Sequence, residues 1–329
     1  MLKFIGRRLF YMCLSMIVIS IVLFLIFRQM PGDPVLMFMA DRQDGLTPAQ
    51  WQAEYDAIRA TLNLDGPVWR QYISWITRYV TGDWGQSLIH RRPVTDIIRV
   101  PIGWTVLLNI TAITIAFIIT IPLGIMSAVK RGKFFDKATM VFTTIGFSMP
   151  TFLVAILFII LFAVFLQWLP IHGMISPIPP TETLARFFDR VRHMILPIIT
   201  ITFVSLAGLT RYMRAAMCDA LSEDYIRTAR AKGLREKVVV YSHAFRNALV
   251  PIVTVMTGTL MGLLSGSVVI ETIFNWSGMG TTLLSSITGG DYAVAKAIVV
   301  LFSAVSLLSI LVMDITYGLV DPRIKVRGE

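Results

Sequence analysis

Charged residues and cysteines are scarce in this sequence. Asp, Glu, Lys and Arg make up 15% of the 329 residues and 55% are hydrophobic, whereas soluble domains average about 25% charged and 45–50% apolar residues. The mean hydropathy is +0.70. This composition excludes a soluble globular domain and predicts an integral membrane protein whose spans are surrounded by a lipid bilayer.

The sequence patterns of several enzyme classes are also absent. There is no HExxH pair, no G-x-S-x-G elbow and no phosphate-cradling GxxxxGK[ST] loop, so zinc hydrolysis, serine hydrolysis and ATP hydrolysis are not expected of this chain. The six Cys and His residues are scattered: Cys13, His90, His172, His193, Cys218 and His243. We therefore predict no disulfide, no metal site and no bound cofactor.

The excess of positive charge does not indicate a nucleic-acid-binding protein. The net charge is +10, but no compact basic domain with interleaved aromatic residues occurs, and the Lys and Arg residues lie in short segments between apolar runs. With the N-terminus inside, the inner segments hold more Lys and Arg than the outer segments, which are nearly twice as long. The positive-inside rule therefore predicts that both termini are cytoplasmic.

Six apolar runs are long enough to cross a bilayer, which requires about 20 residues. They cover residues 9–27, 102–129, 138–168, 194–217, 248–270 and 296–318. The first is a retained span, because Arg28, Gln29 and Met30 are poor cleavage-site residues for a signal peptidase. The third exceeds the usual length, and Pro150 is predicted to kink it.

The predicted fold is accordingly all-α, a polytopic membrane protein with six transmembrane helices. Residues 1–101 would hold the first helix and a long extracytoplasmic region. Residues 102–329 would hold a five-helix core that contains a polar cytoplasmic loop at 221–251 and an outer loop at 271–295.

A short helix is predicted inside that cytoplasmic loop. Ser222 is a suitable N-cap, Glu223 and Asp224 suit the first turn, and Gly233 falls where a left-handed C-terminal residue is favoured. One face carries an apolar stripe that a partner could cover: Leu221, Tyr225 and Ala229. Valine at Gly233 is expected to harm this segment, whereas valine at Gly132, in the other inner loop, is expected to be mild.

Residue patterns along nearly the whole chain resemble one transporter family. The run DYIRTARAKGL, followed by HAFRNALVP, resembles the EAA loop of ABC importer permeases of the dipeptide/oligopeptide class. It keeps Ala229 and Gly233 but departs from the general pattern at Arg227, Thr228, His243 and Arg246. Further matches are GFSMPTF at 146–152, ETIFNWSGMG at 271–280, with Ser277 in place of Pro, and DPRI at 321–324.

The resemblance implies a type I ABC importer permease of the bacterial cytoplasmic (inner) membrane that works by alternating access. Its partners would be a second permease, two cytoplasmic ATPase subunits that hold ATP and Mg, and an extracytoplasmic solute-binding protein. The helix in the loop would be the coupling helix that contacts an ATPase. The coupling residues would be Glu223, Asp224, Tyr225, Arg227, Thr228, Ala229, Gly233 and Leu234.

The resemblance leaves the substrate open among di- and oligopeptides, nickel complexes, glutathione and oligosaccharides. Two functions of other classes compete with it. An ion channel would conduct without ATPase subunits, and an intramembrane enzyme would need convergent titratable residues within the membrane.

Two features inside the spans have alternative interpretations. Gly258, Gly262 and Gly266 form a small-residue ridge that allows close helix packing, while an adjacent face would line a polar translocation path through Thr254, Thr257, Met261 and Ser265. Asp314 is either a functional carboxylate within the membrane or the partner of a cation at the inner surface.

Overall fold

A computed structural model describes residues 2–30, 34–39, 47–61, 66–87, 89–262 and 268–320. Within these ranges the chain is helical, without a named strand, and its β-structure is one isolated bridge between Gln86 and Pro93. The predicted all-α class is confirmed.

Over these ranges the helices follow one another in fourteen segments. The first seven are α1 Leu2–Gln29, α2 Pro34–Met39, α3 Pro48–Thr61, α4 Val68–Val80, α5 Val94–Val129, α6 Phe134–Ser148 and α7 Thr151–Phe158, which continues as a π-helical stretch Ile159–Phe165. The others are α8 Thr183–Ser222, α9 Asp224–Ala231, α10 Glu236–Val238, which continues as a π-helical stretch Val239–Phe245, α11 Arg246–Gly262, α12 Val268–Ile273, α13 Met279–Gly289 and α14 Tyr292–Val320.

Among the described residues, four helices are long and apolar enough to cross a membrane: α1, α5, α8 and α14. Two further spans would each consist of a bent pair. The first joins α6 to the segment 151–165 with a bend of 105°, and the second joins residues 236–249 to 251–259 with a bend of 47°. Counting each bent pair as one span gives the six spans predicted from the sequence.

The kink predicted at Pro150 is confirmed, and the bend there is 105°. Met149 (φ −83°, ψ 130°) and Pro150 (φ −58°, ψ 137°) both have extended backbones, because a proline disfavours the helical region for the residue before it. The apolar run 138–168 is therefore two separate helices with different directions.

Two spans are longer than their apolar runs. Helix α5 begins at Val94 and not at residue 102, and α8 begins at Thr183 and not at residue 194. At 1.5 Å per residue the 36 residues of α5 extend about 54 Å, well beyond the roughly 30 Å of a hydrocarbon core. Hydropathy locates only the apolar part of a helix, which ends at the edge of the hydrocarbon core, whereas the helix itself continues into the headgroup layer.

The outer loop predicted at 271–295 is mostly helical, since it contains part of α12 and all of α13. The buried carboxylate of Glu271 and the close backbone approaches at Gly278 and Gly280 explain why this loop is structured. Glu271 accepts hydrogen bonds from Thr105 Oγ1 (2.7 Å) and from the backbone N–H groups of Gly280 (2.6 Å) and Thr281 (3.2 Å). A Cβ at Gly278 or Gly280 would lie within 2.7 Å of Glu271 or Val268. This part of the family motif thus holds α12 and α13 against α5.

Helices α5 and α8 pack closely in the centre of the bundle. A Cβ at Gly124 would lie 2.3 Å from Met213 Cγ, so the two backbones approach each other where α5 has no side chain. Elsewhere along the same pair, Thr202 Oγ1 donates to the carbonyl of Ala112 at 3.0 Å.

Asp314 pairs with a cation near the end of the last span. Its Oδ2 lies 2.8 Å from Nη1 of Arg8 in α1. The interpretation of Asp314 as a structural partner of a cationic residue is confirmed.

Candidate coupling surface and the residues beneath it

The short helix of the polar loop is α9, and it begins two residues after its predicted cap. Ser222 is the last residue of α8, and its hydroxyl donates to the carbonyl of Asp219 at 2.8 Å. Glu223 occupies the N-cap position with an extended backbone (φ −71°, ψ 152°) and no side-chain cap. Ser222 therefore completes the long helix and does not start the short one.

The C-terminus of α9 has the predicted geometry. Gly233 has φ +73°, its N–H donates to the carbonyl of Arg230 (2.9 Å), and the N–H of Leu234 donates to the carbonyl of Ala229 (3.4 Å). These two bonds form a Schellman motif, in which a left-handed residue ends the helix. The prediction for the backbone of Gly233 is confirmed.

The apolar stripe of α9 differs from the predicted one. Ile226 and Ala229 are 0% and 5% exposed and pack inside this chain, whereas Tyr225 is 38% exposed. Ala229 was predicted to face a partner, but it faces the chain's own core. An isoleucine and an alanine three residues apart lie on one face of a helix. In a segment that is otherwise mostly charged, Ile226 was the residue that indicated which face of α9 is buried.

The exposed side of α9 and its C-terminal turn carries the other predicted coupling residues: Glu223, Asp224, Tyr225, Arg227, Thr228, Gly233 and Leu234. Arg227 Nη1 lies 3.2 Å from Asp224 Oδ1 on the solvated side. The surface presents both charge signs, together with the phenol ring of Tyr225.

An ion pair fixes α9 to the next helix. Arg230 donates two hydrogen bonds to Glu236, from Nη2 to Oε1 (2.7 Å) and from Nε to Oε2 (3.2 Å). These bonds raise the pKa of the Arg230 guanidinium above its usual value. The turn around Gly233 is therefore held by two sets of interactions, the backbone hydrogen bonds of the Schellman motif and the ion pair between Arg230 and Glu236.

An apolar cluster lies directly beneath α9. It contains Ile226 and Ala229 together with buried side chains from α5, α8, the π-helical stretch and α11: Ile125, Ala128, Met213, Met217, Ala220, Val239, Val240, Ala244, Ala248 and Ile252. We call this set the coupling cluster. Because it joins α9 to the ends of three spans, α9 cannot shift without displacing side chains on all of them.

A buried ion pair lies beside the coupling cluster. The Asp136 side chain is 4% exposed, and it accepts hydrogen bonds from Arg214 Nε (2.5 Å) and Nη2 (2.8 Å), Ser127 Oγ (2.5 Å) and the Gly132 N–H (2.8 Å). One carboxylate thus joins the end of α5, the following turn, α6 and α8. The local sequence around Asp136 does not reveal this pair, because the partners are up to 78 residues apart. The available signal was a charged residue beside an apolar run.

The predicted translocation path is only partly within the described residues. Thr257 is half-buried, and its hydroxyl donates to the carbonyl of Val253 at 2.8 Å. The side chains of Thr254 and Met261, and all of Ser265, lie outside the described residues, so the path stays a prediction.

One glycine of the ridge packs against a helix. A Cβ at Gly258 would lie 3.3 Å from Met313 Sδ of α14, so close packing occurs at this position as predicted. The environments of Gly262 and Gly266 lie outside the described residues.

Comparisons with known proteins cover nearly the whole chain and agree with one another. The sequence model of the family described as "binding-protein-dependent transport system inner membrane component" matches residues 120–326, and the model of the corresponding N-terminal region matches residues 1–92. A putative peptide permease protein of Brucella suis biovar 1 is 37% identical over 327 residues, which cover 99% of this chain and 100% of the relative.

Two further relatives have the same extent of similarity. The glutathione transport system permease protein of Escherichia coli is 36% identical over 327 residues, which cover 99% of this chain and 100% of the relative. The di/tripeptide transport system permease protein of Pseudomonas aeruginosa is 37% identical over 339 residues, which cover 99% of each chain. The chain therefore belongs to the family of inner membrane components of binding-protein-dependent transport systems, in agreement with the resemblance of its loop and flanking motifs to peptide-class ABC importer permeases.

Proposed function

We propose that this chain forms, with a second permease, the membrane pathway of an ATP-driven importer for di- or oligopeptides or for the peptide-like solute glutathione. The observation that carries the proposal is similarity over 99% of the chain to permeases named for peptides, di/tripeptides and glutathione. Nickel complexes and oligosaccharides are the alternative substrates.

Two cytoplasmic ATPase subunits are proposed to supply the energy and to hold ATP and Mg. The exposed charged side of α9 suits contact with a soluble partner, because its buried side is already occupied by the coupling cluster. An extracytoplasmic solute-binding protein would deliver the substrate. This permease would perform no covalent chemistry itself.

The proposed mechanism is alternating access driven through α9. When the ATPases close, they would move α9, and the coupling cluster would pass this displacement to α5, α8 and α11. The Asp136–Arg214 pair would keep α5, α6 and α8 moving as one unit. Rigid packing favours such discrete rearrangements over gradual deformation.

The function is tested by reconstituting the complete transporter. The chain would be co-expressed with a second permease, two ATPase subunits and a solute-binding protein of the same transport system, and the purified complex would be reconstituted into liposomes. We expect ATP-dependent accumulation of a labelled dipeptide or of glutathione. ATP-dependent accumulation of nickel or an oligosaccharide instead would overturn the substrate assignment, and ion conductance without ATPase subunits would overturn the importer.

We propose that both termini are cytoplasmic, as the charge distribution predicts. Reporter fusions after Arg99 and Asp291 should then report an extracytoplasmic position, and fusions after Gly132 and Gly233 a cytoplasmic one. Alkaline phosphatase and green fluorescent protein fusions at each site provide the two opposite readouts. An extracytoplasmic reporter after Gly233 would exclude contact between α9 and a cytoplasmic ATPase.

We propose that the Thr257 face of α11 lines the path. Thr257→Trp and Ser265→Trp should reduce uptake severely while the complex still assembles, because an indole would fill the space that the solute crosses. Thr259→Trp is the matched control, since Thr259 is also half-buried and back-bonded, to Val255 at 2.8 Å, but two residues further round the helix. Uptake and subunit stoichiometry are measured together. Equal losses in the three variants, or none, would leave this face with a packing role.

A further inference from the structure

Helix α4 lies against the end of α1. Arg28 Nη1 donates to Gln71 Oε1 at 2.5 Å, the hydroxyls of Ser20 and Tyr72 are 2.8 Å apart, and the ring of Phe24 contacts those of Tyr72 (5.6 Å) and Trp75 (5.7 Å). A second attachment comes from α14, where Lys296 Nζ lies 5.6 Å from the Trp75 ring. One face of α4 is therefore occupied by the transmembrane bundle.

These contacts set the depth of α4 relative to the bilayer. Ser20, Phe24 and Arg28 occupy the last three turns of α1, about 12 Å of helix, and the apolar run of α1 ends at residue 27. Apolar side chains of α1 at the same level are exposed, as expected where a helix faces lipid: Ile21, Val22, Leu25 and Ile26. Helix α4 therefore lies beside the outermost part of the span, at the boundary between acyl chains and headgroups.

The opposite face of α4 is apolar although nothing in the described chain covers it. Trp69, Ile73 and Val80 are 58%, 52% and 82% exposed, and their spacing of four and seven residues places them on one side of the helix. Two arginines, Arg70 and Arg78, lie on another exposed side of the helix, and the Arg70 guanidinium is 5.1 Å from the Trp69 ring centroid. An exposed apolar stripe beside a charged face at this depth has the pattern of a helix that lies in a membrane interface.

We propose that α4 is an interfacial helix whose stripe of Trp69, Ile73 and Val80 is immersed in the leaflet at which α1 ends, with Arg70 and Arg78 at the level of the phospholipid phosphates. The bound partner is a phospholipid surface. Tryptophan and arginine suit this position because each has an apolar body and a polar end. The helix would anchor the segment between the first two spans flat on the membrane.

The aromatic side chains on the side of α4 that faces the transmembrane bundle are packed together, which is consistent with this placement. Tyr79 packs with Trp75 and Trp84, with ring centroids 4.8 Å and 5.9 Å apart, and burial raises the pKa of Tyr79 to about 12. Arg70 and Arg78 are the charged side chains of α4, and Arg78 Nε also lies 3.7 Å from Asp83 Oδ2. This arrangement favours anionic headgroups.

The test uses one fluorescent probe at a time on the assembled transporter. Both native cysteines are free and are replaced by alanine, after which single cysteines are placed at Ile73 and, separately, at Val80 and labelled with an environment-sensitive dye. The control is a single cysteine at Gln52, an exposed polar position of α3. The complexes are reconstituted with phosphatidylglycerol that carries a bromine quencher high in its acyl chains.

Quenching at positions 73 and 80 should be severalfold larger than at position 52, and it should disappear when unbrominated lipid is used. Equal quenching at the three positions overturns the proposal. Weak lipid quenching at 73 and 80, combined with dye protection only after the solute-binding protein is added, also overturns it and makes the stripe a docking surface for that protein. Neither outcome depends on whether the transporter carries peptides, so failure here leaves the proposed function standing.

Discussion

Replacing Asp136 by alanine should lower the free energy of unfolding by about 3–5 kcal/mol, because the change removes one partner of a buried ion pair. Arg214, whose side chain is 23% exposed, would keep its charge with no carboxylate beside it, and Ser127 and the Gly132 N–H would lose their acceptor. The measurement is unfolding of the purified chain in mixed micelles with increasing dodecyl sulfate.

A double variant separates the charge from the packing. Asp136→Leu with Arg214→Met removes both charges and keeps side chains of similar size, and it should recover most of the lost stability, as buried pairs replaced by apolar residues often do. The matched control is Asp224→Ala, which breaks the solvated pair with Arg227 and should cost no more than about 1 kcal/mol. If Asp136→Ala costs no more than this control, the pair does not hold α5, α6 and α8 together.

Valine at Gly233 should reduce uptake by about 5–30-fold while the permease still inserts and pairs with its partner. The backbone there has φ +73°, and no atom beyond the adjoining residues lies within 4 Å of the position that a Cβ would occupy. The cost is therefore left-handed strain of about 1–2 kcal/mol and not a clash. Relief of that strain by unwinding the end of α9 would reduce the competent conformer by the corresponding factor. Uptake, ATPase rate and subunit stoichiometry are measured on the same vesicles.

The control for this variant follows from the structure. Gly132→Val was expected to be mild, but Gly132 has φ +79° and its N–H donates to Asp136, so this variant would add left-handed strain beside the ion pair and is not a suitable control. Gly82, in the turn after α4, has φ +87° and also has no atom within 4 Å of an added Cβ. Gly82→Val therefore carries the same strain away from the coupling surface and should keep near-normal uptake. Full uptake by Gly233→Val, or an equal loss in Gly82→Val, would remove α9 as the transmission point.

Local sequence patterns predicted the features that depend on local physics. Gly233 ends α9 as expected because a left-handed residue after a short helix is a requirement of the backbone itself. The six spans were predicted because hydropathy and bilayer thickness act on each run separately. The position of the break at Pro150 was predicted but its angle of 105° was not, because a proline shows where a helix is interrupted but not the direction that the next helix takes.

Features that depend on contacts between distant segments were not predicted. Nothing in the sequence near Asp136 indicates that Arg214 forms an ion pair with it, and nothing near Glu271 indicates that Thr105 donates a hydrogen bond to its carboxylate. The stripe of α9 was misassigned for the same reason, since a pattern shows which residues share a face but not what covers that face. Ala229 is covered by residues that precede and follow it in the chain.

The ion pair between Arg8 and Asp314 has a consequence for synthesis of the protein. Helix α1 contacts mainly α14 and α4, and Asp314 is synthesised 306 residues after Arg8. At about 5–20 residues per second, roughly 15–60 s separate the emergence of the two charges. During that interval the first helix stays in the membrane without α14, so the contact between Arg8 and Asp314 forms only after most of the chain has been made.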